Sequence, residues 1–137
     1  PRTILQEPTY DDVVIDVKAF LSDRVRDCVS AGIARDRLVV DPGFGFGKTL
    51  QHNLLLLAAL ASFEDLGLPV LVGLSRKSMI GTLTGRAVEQ RLAGSIVMAA
   101  LAVERGARIV RAHDVEATVD ALRIVAALGS VESRGIA

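Results

Sequence analysis

Apolar positions fall into two rhythms along this 137-residue chain. Val13, Val17, Leu21, Val25 and Cys28 recur every three or four residues. That spacing predicts an amphipathic helix over 10–30, introduced by Pro8 and Thr9 and ended by Gly32. Leu54, Leu57, Ala58 and Ala61 predict a second helix over 51–65, closed by Gly67 and Pro69. Val88, Leu92, Ile96, Ala99, Ala100 and Val103 form the inner stripe of a third over 86–105, capped by Gly106. A last helix covers 114–128, with Asp114 as N-cap and Glu116 suited to the dipole of the first turn. Between the helices lie short β-branched runs at 37–41, 69–73 and 108–112, which read as buried parallel strands. Residues 75–84 predict a short helical turn and loop, and 129–137 a frayed tail. Strand starts lie about 30 to 40 residues apart, the spacing of βαβ units.

Each strand run gives way to polar residues: DPGFGFGKT at 41–49, GLSRKSMIG at 73–81 and RAHD at 111–114. In α/β proteins this edge of the sheet is where ligands bind. Asp41 is either a turn residue before Pro42 or an acceptor for paired N–H donors. Gly43, Gly45 and Gly47 alternate with phenylalanines, a spacing that is neither a Walker A nor a Rossmann fingerprint. Both phenylalanines plug the core, or Phe44 packs inward and Phe46 lines a pocket. Lys48 reads as an ordinary loop cation, while His52 and Asn53 can cap the second helix or hold the glycine loop. Ser75, Arg76 and Lys77 form a solvated basic turn or a ligand-facing one. Arg111 and His113, two apart at a strand end, point the same way. With a helix start beside them they suit a phosphate, although histidine also serves structure alone.

Composition narrows the reading. Half the residues are apolar and 23% are charged, a globular balance. Lys plus Arg equals Asp plus Glu at 16 each, so no overall field favours nucleic acid or a membrane surface. Cys28 is the single cysteine, which excludes an internal disulfide and fits a reducing compartment. The apolar stretch from Leu54 to Leu60 is too short to span a bilayer. No secretory signal is expected, and the expected location is the cytoplasm.

The combination of Asp41-Pro42-Gly43-Phe44-Gly45-Phe46-Gly47-Lys48 with Ser75-Arg76-Lys77-Ser78 resembles dihydropteroate synthase of folate biosynthesis. The resemblance covers nearly the whole chain, from Pro1-Arg2-Thr3, which looks like the loop after the fifth barrel strand. Two small departures, Ile4-Leu5 before Gln6 and Ala112 between Arg111 and His113, remove no polar group. The resemblance implies a (β/α)8 TIM barrel, which takes about 250 residues. The expectation is therefore one partial domain over 1–137. It comprises a leading helix plus three βα units from the C-terminal half of a pterin-binding barrel, with the N-terminal half absent.

The resemblance further implies roles. Asp41, Phe46, Gly73 and Lys77 would hold the pterin. Phe46, Ser75, Arg76 and Lys77 would line the p-aminobenzoate site. Arg111 and His113 would hold the pyrophosphate and, with Lys77, carry catalysis. The implied reaction joins 6-hydroxymethyl-7,8-dihydropterin pyrophosphate to p-aminobenzoate, with sulfonamides as competitors. Mg²⁺ would accompany the pyrophosphate, its protein ligand lying in the absent half. A homodimer would form through the C-terminal helices. Two other readings stay open: a pterin-binding methyltransferase-type barrel, and a non-catalytic fragment, since three strands alone are expected to be inactive.

Overall fold

A computed structural model describes residues 10–132. The expectations placed on Pro1-Arg2-Thr3, Ile4-Leu5-Gln6, Pro8, Thr9 and 133–137 lie outside the described residues. Helix α1 spans Val13–Ser30, capped by the Asp12 carboxylate, which accepts from the Val14 and Ile15 N–H groups at 2.9 and 3.0 Å. Val13, Val17 and Val25 are buried along one stripe. Gly32, at φ 90°, follows the helix end.

The expected strand at 37–41 shrinks to a single bridge. Arg35–Arg37 wind into a 3-10 turn that takes the Leu38 N–H, and Pro42 has no N–H to extend the ladder. Val40 pairs alone: its N–H donates to Pro69 O at 3.0 Å, and its carbonyl accepts from Leu71 N–H at 2.8 Å. Val39 stays 47% exposed. Strand β1 (Val70–Val72) and strand β2 (Ala107–Val110) pair in parallel, so Val40, β1 and β2 lie side by side.

The expected helix at 51–65 is two elements. Helix α2 covers Leu50–Ala58, and a 3-10 segment, Leu60–Leu66, follows it, ending at Gly67 in the left-handed region. Three residues per turn stack Leu60, Phe63 and Leu66 on the core side. The buried face is Asn53, Leu56 and Leu57, so of the expected stripe only Leu57 is buried. Residues 75–84 contain a tight turn and then helix α3, Ser78–Thr84.

The third long helix is also shorter than expected. Val88–Gln90 form a 3-10 turn and α4 runs Leu92–Glu104. Its buried face is Ser95, Met98, Ala99 and Ala102, while Val88 and Leu92 are exposed. Small side chains win this face because α4 approaches closely: a Cβ at Gly94 would collide with Ile80 of α3. Helix α5, Val115–Glu132, continues past residue 129, where the expected tail begins. Val13, Val17, Phe44, Leu56, Phe63, Val70, Val72, Leu74 and Ile80 belong to one buried cluster beneath the sheet ends. No described helix is long and apolar enough to cross a membrane.

Candidate active-site cleft

The glycine loop leaves the Val40 bridge at Asp41. One carboxylate oxygen, Oδ1, accepts from the Gly43 N–H at 2.8 Å and closes a turn. The other, Oδ2, faces Arg111 Nη2 at 3.8 Å. Gly43, Gly45 and Gly47 have φ of 73°, 77° and 57°, a path that L side chains resist. The chain therefore sends Phe44 into the core, 1% exposed, and leaves Phe46 outside at 54%.

Three side chains brace this loop. Buried Asn53 accepts from Gly45 N–H through Oδ1 at 2.8 Å and donates through Nδ2 to Thr49 O at 2.7 Å and Lys48 O at 3.3 Å. His52 completes a capping box with Thr49: its N–H donates to Thr49 Oγ1 at 3.2 Å, and its Nδ1 accepts from Thr49 N–H at 3.4 Å. Its ring meets Tyr10 edge-on, centroids 5.1 Å apart. Lys48 is more than the ordinary loop cation its sequence position suggests. Its ammonium donates to Gly43 O at 3.0 Å and Phe46 O at 3.2 Å, and burial holds its pKa below the usual lysine value against the pull of Asp41.

Lys77 reaches across to the same loop. Its Nζ stands 4.2 Å from the Phe46 ring centroid. Its stem passes Gly45, where a Cβ would lie 3.0 Å from Lys77 Cδ. Burial, and then the charge of Arg111, lower its pKa, with Asp41 opposing. Ser75 Oγ accepts from the His113 N–H at 3.2 Å and pairs with His113 Nδ1 at 3.0 Å.

Arg76 is turned elsewhere. Its Nε and Nη2 donate to the Asp114 carboxylate at 3.1 and 2.7 Å, a bidentate pair that holds Asp114 below the usual carboxylate range. The expected N-cap role of Asp114 is thus divided. Its carbonyl accepts the Thr118 N–H that begins α5, while its carboxylate serves Arg76.

Arg111 extends the ladder by donating its N–H to Val72 O at 2.9 Å. Its guanidinium lies across Gly73, where a Cβ would sit 2.6 Å from Nη2. Gly73, Ser75, Lys77, Arg111, Ala112 and His113 line one cleft of about 170 Å³. Five of the residues singled out from sequence therefore share that cleft. Phe46 lies beneath Lys77, Asp41 joins through Arg111, and Arg76 stands to one side. The cleft presents donors and cations toward one space, an arrangement suited to an anion beside a flat polar ring. Sequence reading missed the carbonyl-holding roles of Lys48 and Arg91; neither carries a signal beyond being a cation near a turn. Arg91 donates to the carbonyls of Arg76 and Lys77.

A sequence profile described as pterin binding enzyme matches residues 1–113. With its sheet-end cleft of basic and hydroxyl groups, the chain belongs to the pterin-binding enzyme family. Its relatives there are dihydropteroate synthases. That of Escherichia coli K12 is 50% identical over 127 residues, covering 93% of this chain and 45% of the relative. That of Haemophilus influenzae is 52% identical over 124, covering 90% and 45%. The chain thus spans about half the length of the curated relatives it matches.

Among solved structures, Xanthomonas albilineans dihydropteroate synthase in complex with 7,8-dihydropteroate superposes with a TM-score of 0.90 at 52% identity, covering 93% of this chain and 49% of that one. The Yersinia pestis enzyme in a sulfonamide drug complex gives 0.91 at 47% identity, covering 93% and 47%. Such neighbours place the chain in a TIM-barrel family, and its helices around a small parallel sheet are consistent with part of a barrel.

Proposed function

We propose that this chain is the pterin- and pyrophosphate-holding part of a dihydropteroate synthase. It is one partial domain over 1–137, a leading helix and three βα units from the C-terminal half of a (β/α)8 barrel. The observation that carries the reading is the convergence of Lys77, Arg111 and His113 on one cleft, with Asp41 beside it and Phe46 below. The same convergence favours a pyrophosphate ester over a methyl-carrying folate, since a methyl transfer has no use for the Arg111–His113 pair.

In the proposed reaction the bond between the pterin methylene and the pyrophosphate oxygen breaks, and its electron pair leaves with pyrophosphate. The amine of p-aminobenzoate attacks the cationic methylene and loses a proton. Arg111 and His113 offset the charge that builds on the leaving group. The Asp41 carboxylate accepts from the pterin's amino and ring N–H groups, Lys77 donates to its carbonyl edge, and Gly73 leaves room for the ring once the Arg111 guanidinium that lies across it turns to the pyrophosphate. Phe46, Ser75 and Lys77 flank the p-aminobenzoate position. Arg76 enters only if it exchanges Asp114 for the p-aminobenzoate carboxylate. Orientation does the rest, without a protein nucleophile. Sulfonamides compete at the p-aminobenzoate position.

Mg²⁺ would accompany the pyrophosphate, its protein ligand lying in the half of the barrel that this chain does not span. Among the described residues no three His, Cys, Asp or Glu side chains gather as metal ligands. The proposed setting is the cytoplasm, with the C-terminal helices pairing two copies. Tested in an enzyme of the relatives' full length that contains this sequence, Arg111→Ala should weaken binding of the pyrophosphate ester at least tenfold more than binding of the pterin alcohol. Calorimetry reads both; equal losses would make Arg111 structural.

A further inference from the structure

The turn carrying Lys77 is held from behind by residues that do not line the cleft. Among the described residues Arg76 alone, apart from glycines, has a positive φ, 56°. An L residue keeps that conformation only when its surroundings fix it. Here they do. The Arg76 N–H donates to Ser95 Oγ at 2.9 Å, and the buried Ser95 hydroxyl donates in turn to Arg91 O at 2.6 Å. Arg91 Nη1 donates to Arg76 O at 3.0 Å and to Lys77 O at 3.4 Å, while its Nε holds Arg86 O at 3.0 Å. The guanidinium packs against Gly81; a Cβ there would overlap it and force it to shift.

A lysine ammonium sits at the end of a long flexible stem, so its aim depends on the backbone that launches it. Arg91 ties the two carbonyls around that launch point, and Ser95 ties the amide before it. We infer that Arg91, backed by Ser95, is a positioning residue that holds the 76–77 turn so that the Lys77 ammonium stands over Phe46 at the mouth of the cleft. The functional meaning of this device rests on the reading of the cleft as a pterin site; its geometric content does not.

The chain has three lysines, Lys18, Lys48 and Lys77, so reductive ¹³C-dimethylation gives three side-chain signals by NMR. The Lys77 signal, assigned by its loss in K77R, should be displaced upfield by the Phe46 ring face and return to the exposed-lysine position in F46L. R91A should move it to that same position, and R91K should keep part of the displacement. G81A gives a second route: it leaves Arg91 in the sequence, adds a methyl to a helical glycine and pushes the guanidinium out. A Lys77 signal that stays displaced in folded R91A overturns the inference. If R91A fails to fold, G81A decides: a moved signal supports the inference and an unmoved one overturns it. In the full-length enzyme R91A should also weaken pterin binding about tenfold. If the unsubstituted full-length enzyme binds no pterin, the functional reading fails while the NMR result still decides the role of Arg91.

Discussion

At the scale of single residues, the cleft is a set of charges whose neighbours decide their strength. Asp41 spends one oxygen on Gly43 and keeps the other toward Arg111. In the full-length enzyme Asp41→Asn should weaken pterin binding by about 1–3 kcal/mol, the cost of a mismatched donor at a buried polar contact; unchanged affinity by calorimetry would remove Asp41 from the site. Lys77 titrates below 10.5 because of burial and Arg111. Between that lowered value and 10.5 the unfolded chain binds more protons than the folded one, so this residue's contribution to stability rises with pH. The stability of the unsubstituted chain relative to Lys77→Met should therefore climb on the alkaline side, measured by urea unfolding at several pH values; a fall would mean that Lys77 is held charged. Asp114 has the opposite sign. Paired with Arg76, it titrates below 3.8, so the pair contributes at neutral pH and its contribution is lost as acid carries the pH down from about 3.8 through that lowered value. Arg76→Ala should cancel this acid-side loss, leaving the variant and the unsubstituted chain converging in acid.

At the scale of elements, the glycine loop and the α2 start form one braced unit. Asn53 satisfies Gly45 N–H, Lys48 O and Thr49 O from a buried position. Asn53→Ala strands the Gly45 N–H and the Lys48 carbonyl, while Thr49 O keeps the backbone N–H of residue 53 at 3.1 Å; the expected loss is about 1–3 kcal/mol by urea unfolding, with the Phe46 ring freed from beneath Lys77. A loss confined to a few tenths would mean that water replaces the amide without difficulty. The loop was legible in sequence because alternating glycine and phenylalanine after Asp41-Pro42 leaves few conformations; of the two arrangements left open there, the structure has Phe44 inward and Phe46 outward. The α1 stripe was legible because Val13, Val17 and Val25 obey the helical period over a long run. The helix split after Ala58 was not, since 3-10 and α spacings share the same i, i+3 positions at Leu60 and Phe63. The α4 face was legible at Ala99 alone. Hydrophobicity favoured Val88 and Leu92, but close approach at Gly94 selected Ser95 and Ala102 beside Ala99. Strand 37–41 failed because β propensity at Leu38-Val39-Val40 does not register the 3-10 turn that takes the Leu38 N–H or the N–H that Pro42 lacks.

At the scale of the whole molecule, the sheet and helices leave apolar surface that packing within the described residues does not cover. Ile124 is 73% exposed and Val115 61% on α5, with Val97 on α4 and Leu128 and Val131 further along α5 also exposed. Val39 and Ile109 stand open on the two sides of the small sheet. Ile124, Leu128 and Val131 share one side of α5 by helical spacing, and exposed apolar surface of this kind favours association over solvation, while unpaired strand edges add backbone donors and acceptors to the same drive. The 137-residue chain should therefore sediment as a dimer or larger species at micromolar concentration. Ile124→Asp together with Leu128→Asp should shift it toward monomer if the helices carry the contact. Val39→Lys should do so instead if the sheet edge does. The same chain should form no dihydropteroate alone, because about half of each relative's length has no counterpart in it. Sedimentation velocity and turnover on one preparation test the two expectations independently. A monomer would show that the exposed faces of α4, α5 and the sheet stay solvated. Product formed by the chain alone would show that Asp41, Lys77, Arg111 and His113 suffice without the rest of the barrel.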